Sequence, residues 1–157
     1  MKRLIIYIVC MCLCASLSAC GAAPEQTPST GSKQTPNSGE TLIDNDILTA
    51  TFMGAQDASS LGVFYVTLKV ENKTDSAVTI TLEEADVDGE TIPLITTGVP
   101  LTILPGNSGQ TGFIFSMVNL SISSMSEAEK ATFSIVARNS DTFDTVYKSD
   151  RVSVNLK

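Results

Sequence analysis

The chain has 157 residues, a formal charge of −7 and neither histidine nor tryptophan, a length that suits one ordinary domain with extensions. The missing histidine removes the usual general base, the usual imidazole metal ligand and the physiological-pH switch together. An acidic surface repels phosphate backbones, so no nucleic acid is expected as a partner, and the lack of tryptophan weakens any case for a carbohydrate-stacking platform.

Met1-Lys2-Arg3 is a short positive segment, Leu4 to Leu17 is apolar, and the small residues Ser18 and Ala19 precede Cys20. That is the anatomy of an export signal over residues 1–19. The apolar run is shorter than the roughly 20 residues of a spanning helix. Leu17-Ser18-Ala19-Cys20 reads as a bacterial lipobox, with Cys20 as the lipidated first residue of the mature protein. A plain secretory signal cut after Ala19 would leave an exposed free thiol, and neither Cys12 nor Cys14 follows small residues. All four cysteines, Cys10, Cys12, Cys14 and Cys20, fall within the first twenty residues. The mature domain therefore holds no thiol for a disulfide, a metal or nucleophilic catalysis. One acyl chain, at roughly 0.8 kcal/mol per buried CH₂, binds a membrane only marginally, whereas the two of a diacylglyceryl group hold stably. The expected location is the extracytoplasmic face of the cell membrane, and Gly21 in place of aspartate gives no inner-membrane retention signal. Loss of Lys2 and Arg3 leaves eight basic residues against seventeen acidic, a mature charge of −9.

Residues 20–40 form the next unit. Ala22 to Glu40 is rich in Pro, Ser, Thr and Gly and has no large apolar residue, so it cannot bury enough surface to offset its ordering entropy. A disordered tether is expected, with a reach on the order of 25 Å for about twenty flexible residues.

From Thr41 to Lys157 the pattern changes to period-two alternation, the mark of half-buried strands. A short Leu42-Ile43 and the turn Asp44-Asn45-Asp46 lead into a strand over Ile47–Met53. Val63–Glu71 is the clearest strand, with Phe64, Val66, Leu68 and Val70 on one face and Tyr65, Thr67, Lys69 and Glu71 on the other. A polar turn at Asn72–Asp75 joins it to Ala77–Glu83, where Val78, Ile80 and Leu82 face inward. Asp88-Gly89 is a two-residue hairpin signal between Ala85–Val87 and Glu90–Leu94. Pro100 and Pro105 bracket Leu101–Leu104 as an edge strand. Gln110–Met117 alternates through Phe113, Phe115 and Met117. Met125–Lys130 is the one helical turn, capped by Ser124 or Ser126. Ala131–Asn139 puts Phe133, Ile135 and Ala137 together, and Arg151–Leu156 ends the chain with Val152, Val154 and Leu156 inward. Seven to nine short strands and almost no helix predict an all-β, immunoglobulin-like antiparallel β-sandwich. At about 115 residues it buries more than roughly 60% of its unfolded surface, enough for a core without disulfides.

The cysteine, the Ser/Thr/Pro tether, the run Val66-Thr67-Leu68-Lys69-Val70-Glu71-Asn72-Lys73-Thr74-Asp75 and the segment Asn139 to Asp150 together carry a resemblance. The chain is similar to the small immunoglobulin-like domains of unknown function on Gram-positive lipoproteins, which are similar in fold to a secreted mycobacterial immunoprotective antigen. The resemblance covers most of the chain from Thr41. It implies a fold and a location, and no catalytic residues. Such domains often have tryptophan before the last Asp-Thr, where this chain has Phe143, a swap expected to affect packing alone.

No catalytic constellation emerges. Glu84-x-Asp86-x-Asp88-Gly89 imitates the start of a calcium loop, but its twelfth position is Ile95 where a bidentate Glu is required. Asp86, Asp88 and Glu90 are the residues a looser calcium site would use, and a solvated hairpin tip is the simpler reading. Asn139, Asp141, Asp144 and Asp150 read as turn caps, with a cation site as the alternative. Gly106-Asn107-Ser108-Gly109 lacks the spacing, the strand-to-helix context and the histidine of a nucleophile elbow. Asn72-Lys73-Thr74 and Asn119-Leu120-Ser121 match the glycosylation sequon, which has no meaning in a bacterial lipoprotein. Tyr65 and Tyr147 are outward or near a turn, and edge packing explains them. No cofactor and no metal are expected. The reading is a non-catalytic, membrane-anchored lipoprotein that presents its domain to an unknown protein or envelope ligand. The alternatives are an accessory or sensory lipoprotein of an envelope transporter or receptor and, behind it, a carboxylate-based hydrolase.

Overall fold

The computed structural model describes residues 37–92 and 101–157. The expected export signal, Cys20, the expected tether up to Pro36 and residues 93–100, with Leu94, Ile95 and Pro100, lie outside the described residues.

Alternating strands need one apolar and one wet surface, and two stacked antiparallel sheets provide both. The first sheet runs β1 (Thr41–Asp44), β2 (Leu48–Ala58), β3 (Val63–Asn72), β7 (Ser108–Ser116). The second runs β10 (Val152–Asn155), β8 (Lys130–Asn139), β4 (Val78–Val87), β5 (Glu90–Thr91). Within it β6 (Leu101–Ile103) also pairs with β4, and β9 (Thr145–Lys148) also pairs with β8. The chain changes sheet between β3 and β4, between β6 and β7, and again between β7 and β8, as expected of an immunoglobulin-like sandwich. Ten strands among the described residues exceed the expected seven to nine because the edges are broken. β9 and β10 follow one another along β8, and β5 and β6 both lie along β4.

β3 behaves as its alternation predicts: Phe64, Val66, Leu68 and Val70 are each 0% exposed. Phe64 stacks on Phe115 of β7 with ring centroids 5.0 Å apart, and Phe115 meets Phe133 of β8 at 6.4 Å. This aromatic seam joins the two sheets, and each such pair is worth roughly 0.5–1.5 kcal/mol beyond the area it buries.

Two strands are longer than their patterns suggest, and a bulge explains each. β2 continues past Met53 through a register shift between Phe52 and Gly54, where Gly54 has a φ of 122° that favours glycine. The runs 77–83 and 85–87, expected as separate strands, are one strand, β4, with a shift between Glu83 and Asp86. The bulge resets the alternation, so Val78, Ile80 and Leu82 before it and Ala85 and Val87 after it are all buried. Met117 leaves the strand to open a one-turn helix, α1 (Met117–Leu120), and stays buried. The expected helical turn is a short 3₁₀ turn at Met125–Glu127, where the Ser126 amide donates to Ser124 Oγ at 3.2 Å.

Asn72 ends β3 fully buried, and it stitches the sheets together. Its amide nitrogen donates to the carbonyls of Ser76, at 2.8 Å, and Ile103 of β6, at 2.9 Å. Its side-chain oxygen accepts from the Thr74 amide at 2.9 Å and the Thr74 hydroxyl at 2.8 Å. A polar turn after a strand is legible in Asn72–Asp75; a buried amide spanning both sheets is not.

The last residues of the stretch read as tether are tied down. Gly39 donates to the Phe52 carbonyl at 2.6 Å, and Phe52 donates to the Glu40 carbonyl at 2.9 Å. Asn155 Nδ2 donates to Asn37 Oδ1 at 3.1 Å. Because Asn155 pairs with Lys130 at the start of β8, Asn37 enters at the end of the sandwich opposite Asn139, where β8 finishes.

Candidate functional site

β8 runs through the middle of the second sheet, and the strands on both sides of it break step at one level. On one side, β4 bulges just after Glu83 pairs with Ser134. On the other, β9 ends at Lys148, opposite Val136, and β10 begins at Val152, opposite Phe133. Between the two irregularities a cleft of about 380 Å³ opens, lined by Glu84, Ser134, Lys148, Ser149, Asp150 and Arg151.

Its floor is made of hydroxyls. Ser134 is 1% exposed, and its hydroxyl makes no hydrogen bond to another described residue. Ser149, also buried, repairs the gap in the edge strand. Its amide donates to the Ile135 carbonyl at 3.0 Å, and its Oγ accepts from the Ile135 amide at 2.9 Å. The Ser149 oxygen thus replaces a ladder carbonyl and keeps its own proton to donate elsewhere.

The rim is ionic. Lys148 Nζ lies 2.6 Å from Glu84 and 3.2 Å from Glu83, and Arg138 Nη2 lies 2.6 Å from the other oxygen of Glu83. Arg151 pairs with the mostly buried Asp86, whose second oxygen accepts from the Gly89 amide at 3.1 Å. Glu84 occupies the bulge with a φ of 52°, a left-handed conformation uncommon in any residue but glycine. In register, the Glu83–Arg138–Lys148 network stands on the same face as Val136 and Thr81. Val136 is fully buried there, although it lies outside the core between the sheets.

Hydrogen bonding to the Lys148 ammonium, and in second place to the Arg138 guanidinium, holds the Glu83 carboxyl below its usual range, while partial burial pushes the other way. Hydrogen bonds from Glu84 first, then Glu83, raise Lys148 above the usual ammonium range. The two signs give a pH window. A depressed carboxyl stabilises the fold above its unfolded pKa of about 4.3 and loses that contribution as pH falls through the folded value. A raised ammonium stabilises below about 10.4 and loses its contribution as pH rises through the folded value. The melting temperature of wild type minus that of Glu83→Gln is therefore expected to be positive and flat at neutral pH and to close in acid. A gap that persists unchanged in strong acid would contradict this account of the network.

The residues of the imitated calcium loop disperse. Asp86 holds Arg151. Asp88 ties the hairpin to the start of β8, accepting from the Glu129 and Lys130 amides at 3.0 Å each. The tip is thus pinned to a neighbouring strand as well as solvated. Asp88 and Gly89 both have positive φ, 52° and 90°, as the Asp-Gly hairpin signal predicts. Glu90 is exposed on β5. Among the described residues no three Asp, Glu or Cys side chains are grouped to hold a metal.

Of the four residues around the last strands, Asn139 caps as expected, accepting from the Asp141 and Thr142 amides at 2.8 and 3.0 Å. Asp141 and Asp144 are exposed, and Asp150 lines the cleft. Phe143, expected to pack, is 71% exposed at the tip of the β8–β9 turn with a φ of 62°. Gly106–Gly109 leads into β7, a strand. Tyr147 packs against the core, and Tyr65 borders a second shallow recess of about 250 Å³ with Gln56, Thr67, Gln110, Thr111 and Gly112.

This chain matches no family model, no curated protein and no solved structure. Sequence reasoning missed Ser134, Lys148, Ser149 and Arg151. One signal for Ser134 was present: it is the single polar residue in the run Phe133-Ser134-Ile135-Val136-Ala137, in a strand buried on both faces.

Proposed function

We propose that this protein is a membrane-anchored extracytoplasmic lipoprotein, lipidated on Cys20, whose immunoglobulin-like sandwich is a non-catalytic binding module. The observation that carries the reading is one of order along the chain. A lipobox and a Ser/Thr/Pro-rich tether precede a sandwich whose core residues, Ile43 to Leu156, all come from the strand region and its short turns. Asn37, the first described residue, lies beside Asn155 at the start of β8, away from the turns at Asn72–Ala77 and Asn139–Asp144. The cleft between the β4 bulge and the β9–β10 break favours the second reading, an accessory or sensory lipoprotein of an envelope transporter or receptor, because a recess of this size suits a small ligand.

Proteolysis of intact cells tests this. The sandwich is expected to be degraded by added protease while a cytoplasmic control survives, and to stay with membranes through a high-salt wash. A domain protected in intact cells and released on lysis would overturn the proposal.

A further inference from the structure

We propose that the cleft between the β4 bulge and the β9–β10 break binds a small zwitterion of the α-amino acid class. This rests on the reading of the domain as an extracytoplasmic binding module and names what that module takes. The ionic lining is balanced, with Lys148 and Arg151 set against Glu84 and Asp150. A balanced rim rejects a bare cation or a simple anion, either of which would leave like charges facing it. It suits a ligand that carries both charges a few bonds apart, its carboxylate toward Lys148 and Arg151 and its ammonium toward Glu84 and Asp150.

The resident ion pairs do not close the site. The Lys148 and Glu84 side chains are 39% and 55% exposed, and Arg151 is 47% exposed. The exposed Lys148–Glu84 pair contributes little, so a ligand can replace it at small cost, and the several N–H donors of Arg151 let it reach a ligand without leaving the mostly buried Asp86. The floor has the opposite character. Ser134 is buried with a hydroxyl that no described residue engages, and Ser149 has a donor to spare. Ser134 Oγ is not among the buried side-chain atoms left without a partner, so it opens onto the cleft, and both hydroxyls stand ready to bond a polar ligand seated on the floor. The left-handed Glu84 fits the same account, because strain held at a bulge brings a carboxylate to the rim of a recess. The volume, about 380 Å³, lies at the small end of ligand pockets.

The test is calorimetric titration of the mature protein in detergent micelles with glycine, the bare zwitterion, and with L-alanine. Acetate and methylamine, which carry one charge each, are the controls. Saturable binding of glycine or L-alanine is expected, with acetate and methylamine at least about tenfold weaker, since each leaves one set of rim charges unanswered. Ser134→Ala and Lys148→Met are both expected to weaken glycine binding while circular dichroism stays that of the wild type. Ser134→Ala removes one buried oxygen and is the variant to rely on should Lys148→Met disturb the sheet. The absence of saturable heat with both amino acids would overturn the inference, as would equal binding of the single-charge controls or wild-type affinity in Ser134→Ala. A protein that remains surface-exposed and folded yet silent to glycine and L-alanine would sink this inference and leave the binding-module reading standing.

Discussion

Asn72→Ala is expected to destabilise the sandwich by about 2–4 kcal/mol, read as a lowered midpoint of chemical unfolding at unchanged denaturant slope. The magnitude follows from what the truncation strands. Ile103 loses a donor to its buried carbonyl, Ser76 loses one at a partly buried position, and the Thr74 amide and hydroxyl lose their common acceptor. A buried polar group left without a partner costs roughly 1–3 kcal/mol, whereas groups nearer the surface find water. The loss also separates the sheets locally, because the bond to Ile103 is a polar tie from β3 across to β6. Asn72→Asp sharpens the test. It keeps the shape and the acceptor but points a carboxylate at two carbonyl oxygens, so its carboxyl pKa is raised in the folded state. A raised carboxyl is least damaging below its unfolded pKa of about 3.9, so the deficit of Asn72→Asp is expected to shrink in acid while that of Asn72→Ala does not. Equal stability of Asn72→Ala and wild type would remove Asn72 as a stitch between the sheets.

Cys20→Ala is expected to abolish the mature, lipid-anchored species in the washed membrane fraction. Two acyl chains on one sulfur hold a protein stably, and replacing the thiol by hydrogen removes the atom to which they attach. Alanine leaves the apolar segment and Ala19 intact, so export itself is not at issue. The expected products are an unprocessed precursor of higher mass or a protein shed to the medium. Quantitative blotting of fractions separates these from a protein that is processed and retained like the wild type, which would contradict lipidation at Cys20.

How far the fold was legible depends on how long each strand keeps step. β3 pairs without a shift with β7, from Val63 opposite Ser116 to Glu71 opposite Ser108, and its alternation is uninterrupted, so its two faces were readable residue by residue. β4 was read as two strands because Glu83-Glu84 resembles a polar turn. Only the three-dimensional pairing shows that Glu84 absorbs an extra residue and that β8 continues alongside. β9 was missed because Thr145-Val146-Tyr147-Lys148 is a short edge whose side chains are largely exposed, which leaves hydrophobic patterning with little to report. α1 was missed for a different reason. Met117 is buried at the start of the turn, and its apolar character fits both the end of a strand and the start of a helical turn.

The candidate site was less legible than the fold. Lys148 bonds to Glu84 from 64 positions away, and Arg151 reaches Asp86 from 65. Such pairs leave no spacing motif, unlike a calcium loop or a nucleophile elbow. The acidic run Glu83 to Glu90 was noticed for its density, and its chemistry turned out to be local structure: an ion pair at Glu83 and another at Asp86, and a strand tie at Asp88. What the run does supply is Glu84, the one member of that hairpin that lines the cleft.

The intact mass of the mature protein, extracted from washed membranes, tests the central proposal most directly. The account predicts a polypeptide that begins at Cys20 and is heavier than its sequence by a diacylglyceryl group on the sulfur. A chain that begins elsewhere, or one that begins at Cys20 with the mass of the bare polypeptide, would contradict it.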